Sequence, residues 1–244
     1  MNLAIQSYCF RNFKDNAKVA DMVRECGLDA IELCRVHLDF ADAAAVDKAI
    51  ETYRAAGVRI VSAGVERFAD DEARERMVME FVKKAGAGHV SADFAIDKVP
   101  AAYRTAERLA EEYDVRLGIH NHGGRHWLGG NAALAQVFAQ TSDRIGLCLD
   151  TAWSLDSGEN PVKTVGQFQD RLFALHLKDF VFDRARRPED VVVGTGNVHL
   201  PELRAALDAA SFNGWFIVEY EGDVENPLPA LKECLASIRN EWSG

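Results

Sequence analysis

Eight short runs rich in β-branched and apolar residues recur along this chain at a nearly even interval, and that rhythm limits the fold more than any other feature. The runs cover 3–6, 30–33, 59–62, 89–92, 115–120, 145–150, 172–176 and 215–219. Between them lie Ala/Glu/Lys/Arg-rich stretches with helical spacing, such as 70–87, 100–113 and 201–210. Strands alternating with amphipathic helices imply parallel strands joined by right-handed crossovers. Eight such units closing on themselves give a (β/α)8 TIM barrel. A doubly wound open sheet is the competing arrangement, but it commonly uses fewer strands, and no GxGxxG follows the first run. Gly27, Gly57, Gly88 and Gly214 stand at helix-to-strand returns, where left-handed helix caps are expected.

The 244 residues match the size of one such barrel, so a single domain over 1–244 is expected. With 48% hydrophobic residues there is enough apolar material for a large core, yet no apolar run approaches the length of a membrane span. The opening MNLAIQSYCFRNF lacks a basic region followed by a long apolar one, which points to a cytoplasmic protein. A net charge of −10 opposes binding to nucleic acid or anionic membrane and leaves small-molecule substrates open. The five cysteines are scattered and odd in number, consistent with reduced, buried thiols.

In a barrel of this kind chemistry sits at the C-terminal ends of the strands. From the fifth strand onward those ends read GIHNH, CLDTAW, LHLKDF and VEYEGD. They place His120, Asp150, His176 and Glu219 at separations of 30, 26 and 43 residues, which follow the repeat. Residues one repeat apart occupy neighbouring staves, so the four side chains are expected to converge. Two imidazoles with two carboxylates suit one divalent ion such as Mn²⁺, Co²⁺, Zn²⁺ or Mg²⁺. Each residue also has an ordinary reading. Asp150 can cap the next helix, His176 can be a satisfied core histidine, and Glu219 can face water.

The run AIQSYCFR at the first strand, GLDAIEL at the second, the HLKD motif, GTGNVHLPELRAAL and FIVEYEGD together resemble the xylose-isomerase-like TIM-barrel superfamily. The resemblance is to its sugar phosphate isomerase/epimerase and inosose dehydratase branch and runs through nearly the whole chain. It implies one catalytic divalent ion held at His120, Asp150, His176 and Glu219. The epimerase branch carries an acid where this chain has His120, whereas the His120-Asn121-His122 run is similar to the inosose dehydratases. Trp153 stands where many relatives place a substrate-contacting histidine.

A metal-dependent isomerase or epimerase acting on a sugar or keto-sugar through an enediolate is therefore expected. A dehydratase acting on a keto-cyclitol or keto-sugar, or a non-catalytic sugar-binding barrel, are the alternatives. Imidazole in place of one carboxylate weakens the two-base epimerisation route and leaves one-base isomerisation or water elimination. Glu219 is expected to be the general base, with His122 as proton donor or substrate contact. Lys178 is expected to hold a substrate oxygen or phosphate, or else to pair with Asp179. Tyr8 and Trp153, with Phe10, are candidates for an apolar wall, and Glu66 and Glu32 for hydroxyl contacts or an alternative base. Arg35 and Arg67 are expected in solvent, and the charged 180–200 stretch is expected to be a solvated loop or a lid carrying Arg184, Arg186 and Arg187. The acidic charge and short ligand set argue against the multi-metal DNA-repair endonucleases of the same superfamily. Helices on the outside of such barrels often pair, so a homodimer is possible.

Overall fold

The computed structural model describes residues 1–243. Strands β1 (Asn2–Gln6), β2 (Ala30–Leu33), β3 (Arg59–Phe68), β4 (His89–Phe94), β5 (Arg116–His120), β6 (Ile145–Asp150), β7 (Leu172–Leu177) and β10 (Trp215–Val218) close into one parallel barrel. The order is sequential, and β10 closes the ring by pairing with both β7 and β1. Two extra strands, β8 (Asp179–Phe182) and β9 (Pro188–Val191), form an antiparallel hairpin on the rim after β7. The charged stretch expected as a loop is thus largely a hairpin, whose turn carries Arg184, Arg186 and Arg187. Arg187 pairs with Asp183, and Arg186 lies over the Phe182 ring.

The helices begin where acidic and amide side chains can accept the first free backbone N–H groups. Asp15 caps α1 (Asn16–Glu25), Asp42 caps α2 (Ala43–Ala55) and Asp71 caps α3 (Glu72–Ala85). The same device recurs at Asn160 before α7 (Pro161–Phe168), where proline occupies the first turn. α4 (Ala101–Tyr113) and α5 (Asn131–Phe138) start without a side-chain cap. The remaining helices are α6 (Thr151–Asp156), α8 (Leu200–Ala209) and α9 (Leu228–Trp242). None is long and apolar enough to cross a membrane.

Two of the four expected glycine caps are corrected. Gly27 and Gly57 adopt the left-handed conformation, but after α3 it is Gly86, not Gly88, that does so. Ser211 takes that conformation after α8, and Gly214 is needed for a different reason. A Cβ at Gly214 would lie 2.2 Å from the Phe173 carbonyl oxygen, so only glycine lets the two backbones approach.

Outward-facing strand residues pack beneath the helices in the main core, whereas a second small cluster fills the bottom of the barrel interior. That cluster contains Ala4, Ala30, Val61, Cys148, Ala174 and Ile217, with Trp215 packed against it. The interior changes from apolar to polar on moving up the strands, where Gln6, Glu32, Ser62, Ser91 and His176 lie buried. All five cysteines are free and buried, as expected.

His89 enters this interior with its Nε2 lacking a hydrogen bond and 3.8 Å from Glu32. Burial lowers its pKa from the ordinary 6.5 to about 4. The unfolded chain therefore binds the proton first as pH falls, and stability present above pH 6.5 is lost on descending toward pH 4. Urea unfolding across that window should show a loss on the order of 2–3 kcal/mol from this residue. His89→Gln should flatten the slope, and an unchanged slope would remove His89 as its source.

Candidate metal centre

The four strand-end residues meet. His120 and Asp150 end β5 and β6, His176 is one residue short of the end of β7, and Glu219 follows β10 directly. All four are buried, and one ligand-type atom from each lies within 4.8 Å of the others. His120 Nε2 is 3.4 Å from Asp150 Oδ2 and 3.8 Å from Glu219 Oε2. His176 Nδ1 is 2.8 Å from Glu219 Oε2.

Three buried atoms at this point have no hydrogen-bond partner, namely both ring nitrogens of His120 and Asp150 Oδ2. An unpaired buried carboxylate oxygen facing unpaired imidazole nitrogens is costly unless something else completes the set. A divalent cation does so, because it accepts lone pairs from nitrogen and oxygen together and offsets two carboxylate charges. The residues therefore fit a single divalent ion, with His120, Asp150, His176 and Glu219 as its holders. Asp150 also realises its ordinary reading, since its Oδ1 accepts from Trp153 N at 2.8 Å and caps α6. One oxygen serves the helix and the other faces the centre.

Glu32, in place of a hydroxyl contact or a base, is fully buried beneath the centre and turned inward. Its carboxylate accepts from Gln6 at 2.5 Å, Ser62 at 2.5 Å and Ser91 at 2.7 Å, and it lies 2.8 Å from His176 Nε2. Burial opposes its charge, but His176, His89 and Ser62 hold its pKa down to about 2. An ionised carboxylate can only accept, so His176 Nε2 carries hydrogen toward Glu32; Nδ1, which here shares its own hydrogen with Glu219 at 2.8 Å, is the nitrogen that would give up a proton to hold an ion. Glu32→Gln puts an N–H donor in this cluster and disturbs that tautomer. The variant should weaken Co²⁺ binding about 10–100-fold in a visible-absorption titration, and unchanged affinity would contradict the assignment.

Asn121, between the two histidines, was not singled out by sequence. Its amide brackets the Asp150 backbone, accepting from Asp150 N at 2.8 Å and donating to Asp150 O at 3.0 Å, which locks β5 to β6. The HNH run was the available signal, but its middle residue points away from the periodic set.

Above the centre opens a cleft of about 400 Å³ lined by Gln6, Tyr8, Cys34, Arg35, His120, His122, Trp153, Glu219 and Glu221, among others. Tyr8, Trp153 and His122 thus line the cleft. Phe10 instead lies in the core, wholly buried. His122 stacks near His120, with ring centroids 4.5 Å apart. Burial and the neighbouring His120 and His126 push its pKa down to about 3. It is neutral at physiological pH, which suits a hydroxyl contact better than proton donation.

Glu66 is not on the cleft lining. It is buried, and its carboxylate is 2.6 Å from Arg35 Nε and 3.8 Å from Arg74. Burial raises its pKa against the pull of Arg35. Arg35 is exposed, as Arg67 is, but it also lines the cleft, pairs with Glu66 and stacks over Phe40.

Lys178 also departs from its expected surroundings. Its side chain is fully buried and pairs with Glu221 and Asp190, not with Asp179, and its ammonium lies 5.4 Å from the centre of the Trp153 ring. Burial works against its charge, but Glu219, Asp150, Asp190 and Glu221 keep it protonated well above the ordinary lysine range. Asp179 has another task. Its Oδ2 accepts from the backbone of Gly194 and Gly196, both at 2.9 Å, and its Oδ1 from Asn197 at 2.8 Å and Val198 at 2.9 Å. The GTGN turn is a ring of amides closed around this carboxylate.

A family model described as xylose isomerase-like TIM barrel matches residues 20–241. Among curated proteins, the chain is 30% identical over 138 residues to the rhizopine catabolism protein MocC of Rhizobium meliloti, covering 51% of this chain and 42% of that protein. It is 28% identical over 161 residues to an inosose dehydratase of Klebsiella pneumoniae subsp. pneumoniae, covering 58% and 54% respectively. The chain spans about half the length of the curated relatives it matches. Among solved structures, the IolI protein with a bound zinc atom superposes with a TM-score of 0.81 at 16% identity, over 100% of this chain and 98% of that one. At that identity the likeness is one of fold.

Proposed function

Because this chain belongs to the xylose isomerase-like TIM barrel family, we propose that it is a divalent-metal-dependent enzyme that removes the α proton of a small polyhydroxylated ketone and then eliminates water. The carrying observation is the convergence of His120, Asp150, His176 and Glu219 at the floor of the cleft, where both His120 ring nitrogens and Asp150 Oδ2 are buried without a hydrogen-bond partner. A divalent ion, which His120, Asp150, His176 and Glu219 would hold, would supply Lewis acidity that makes the C–H beside the substrate's carbonyl more acidic.

The chain's own groups supply the rest. Glu219 takes the α proton, being the one carboxylate of the set that also lines the cleft. Asp150 is held by its helix cap and by Asn121 and stays a fixed ligand. With His120 in place of a second carboxylate, proton transfer is confined to one face of the substrate. The protonated Glu219 then delivers its proton to the hydroxyl leaving the β carbon, so one residue serves both halves of the elimination. Neutral His122 and Tyr8 contact substrate hydroxyls, and Trp153 forms the apolar wall. The sequence relatives named inosose dehydratase support a keto-cyclitol as the ketone.

A second reading shares the first step. If Glu219 returns the proton to the adjacent carbon, the result is aldose–ketose isomerisation, which one base on one face also allows. Proton NMR of the reaction in D₂O, with mass spectrometry of the product, tests both. Elimination gives a product lighter by one water, whereas isomerisation keeps the substrate's formula and adds one mass unit for each deuterium taken up at carbon. No turnover of any keto-sugar or keto-cyclitol by metal-loaded protein would defeat the proposal.

A further inference from the structure

We infer that the cleft takes an uncharged ketone and turns away its phosphate ester; the inference rests on the reading of the site as a ketone-enolising centre. Three observations carry it. In barrels of this kind, phosphate is frequently held by backbone amides in the loops after the last two strands. Here the amides of Gly194, Gly196, Asn197 and Val198 already converge on an anion, and that anion is the chain's own buried Asp179 carboxylate. The fit is tight, since a Cβ on Gly196 would stand 2.5 Å from Asp179 Oδ1. The glycine admits an internal carboxylate and leaves no room for a ligand.

The cations near the cleft are likewise committed. Lys178 sits between Glu221 and Asp190. Arg35 pairs through its Nε with Glu66 at 2.6 Å and stacks over Phe40. Arg11 lies over the Tyr8 ring and donates to the backbone oxygens of Tyr8 and Glu221.

The third observation is the sign of what remains. Asp150 and Glu219 would offset the charge of a divalent ion, Glu221 offsets Lys178 and Glu66 offsets Arg35, so the cleft keeps no net positive charge. A phosphate dianion would have to draw Lys178 or Arg35 away from the carboxylate that each already faces, and bringing it beside Glu221 or Glu66 sets like charges together, which is costly. Hydroxyl groups meet no such cost, because they can donate to the carboxylates.

The test is a matched pair, D-fructose and D-fructose 6-phosphate, titrated into Co²⁺-loaded protein and followed by the visible spectrum of the ion. The ester should bind at least about tenfold more weakly than the free sugar. Glu221→Gln, which releases Lys178 on its cleft side, should raise ester affinity relative to the free sugar by at least about threefold. The inference is overturned if the wild type binds the ester as tightly as the sugar, if neither probe binds, or if Glu221→Gln leaves the ratio unchanged. Binding does not need turnover, so failure to convert any ketone would sink the proposed reaction while leaving this ratio to be read.

Discussion

Asp150→Ala is expected to abolish turnover and to lower divalent-ion affinity by at least about 100-fold, more than is usual for losing a group that merely supports a ligand. Its cost to the fold should be near that of one lost helix cap, about 1 kcal/mol. The reason is the division of labour between its two oxygens, one capping α6 and the other unpaired beside His120. Asp150→Asn separates the roles. Asparagine is as good an N-cap as aspartate, so stability should return to near wild type while the charge, and with it the ion, remains lost. Co²⁺ titration followed by visible absorption, alongside thermal unfolding, reads both effects. If either variant kept full ion affinity and activity, the centre would lie elsewhere.

Asp179→Ala should give the largest loss of stability among the rim residues. Removing the carboxylate strands four inward-pointing backbone N–H groups, and hydrogen bonds to a charged acceptor are among the stronger ones. A cost of about 3–4 kcal/mol is expected, since part of it is recovered when water reaches the opened loop. For a chain of this size that lowers the melting temperature by roughly 10 °C. Asp179→Asn keeps an acceptor for two of the four amides and should fall between. The disturbance should pass to the β8–β9 hairpin, whose Asp190 faces Lys178. Burial pushes the Asp190 carboxyl up to about 7 against the pull of that lysine, so a loosened hairpin weakens a pair already close to neutralising itself. A melting temperature within about 3 °C of wild type, which is roughly 1 kcal/mol, would show that the amides find other partners.

The contrast between these two aspartates shows how far sequence alone reached. Asp150 was legible because it belongs to a periodic set. Strand ends one repeat apart must lie on adjacent staves, so His120, Asp150, His176 and Glu219 were brought together by counting. The barrel was legible for the same reason, although β3 runs on to Phe68, well past the expected 59–62. Asp179 was not legible, because its partners lie 15 to 19 residues away on a turn whose shape no repeat dictates. Glu32 was seen as a strand-end acid, but its direction depends on a contact with His176 across 144 residues, through the barrel interior. Lys178 followed the alternation rule correctly, yet alternation does not reveal that Glu221 and Asp190 lie within reach of it. Period gives which face a residue occupies. The partner waiting on that face comes from other strands and must be seen.

The most direct test of the centre is anomalous diffraction at the metal edge from crystals loaded with Zn²⁺ or Co²⁺. The account predicts one ion per chain, about 2.0–2.3 Å from His120, Asp150, His176 through Nδ1, and Glu219. An absent peak at that position, or an ion held by other side chains, would contradict it.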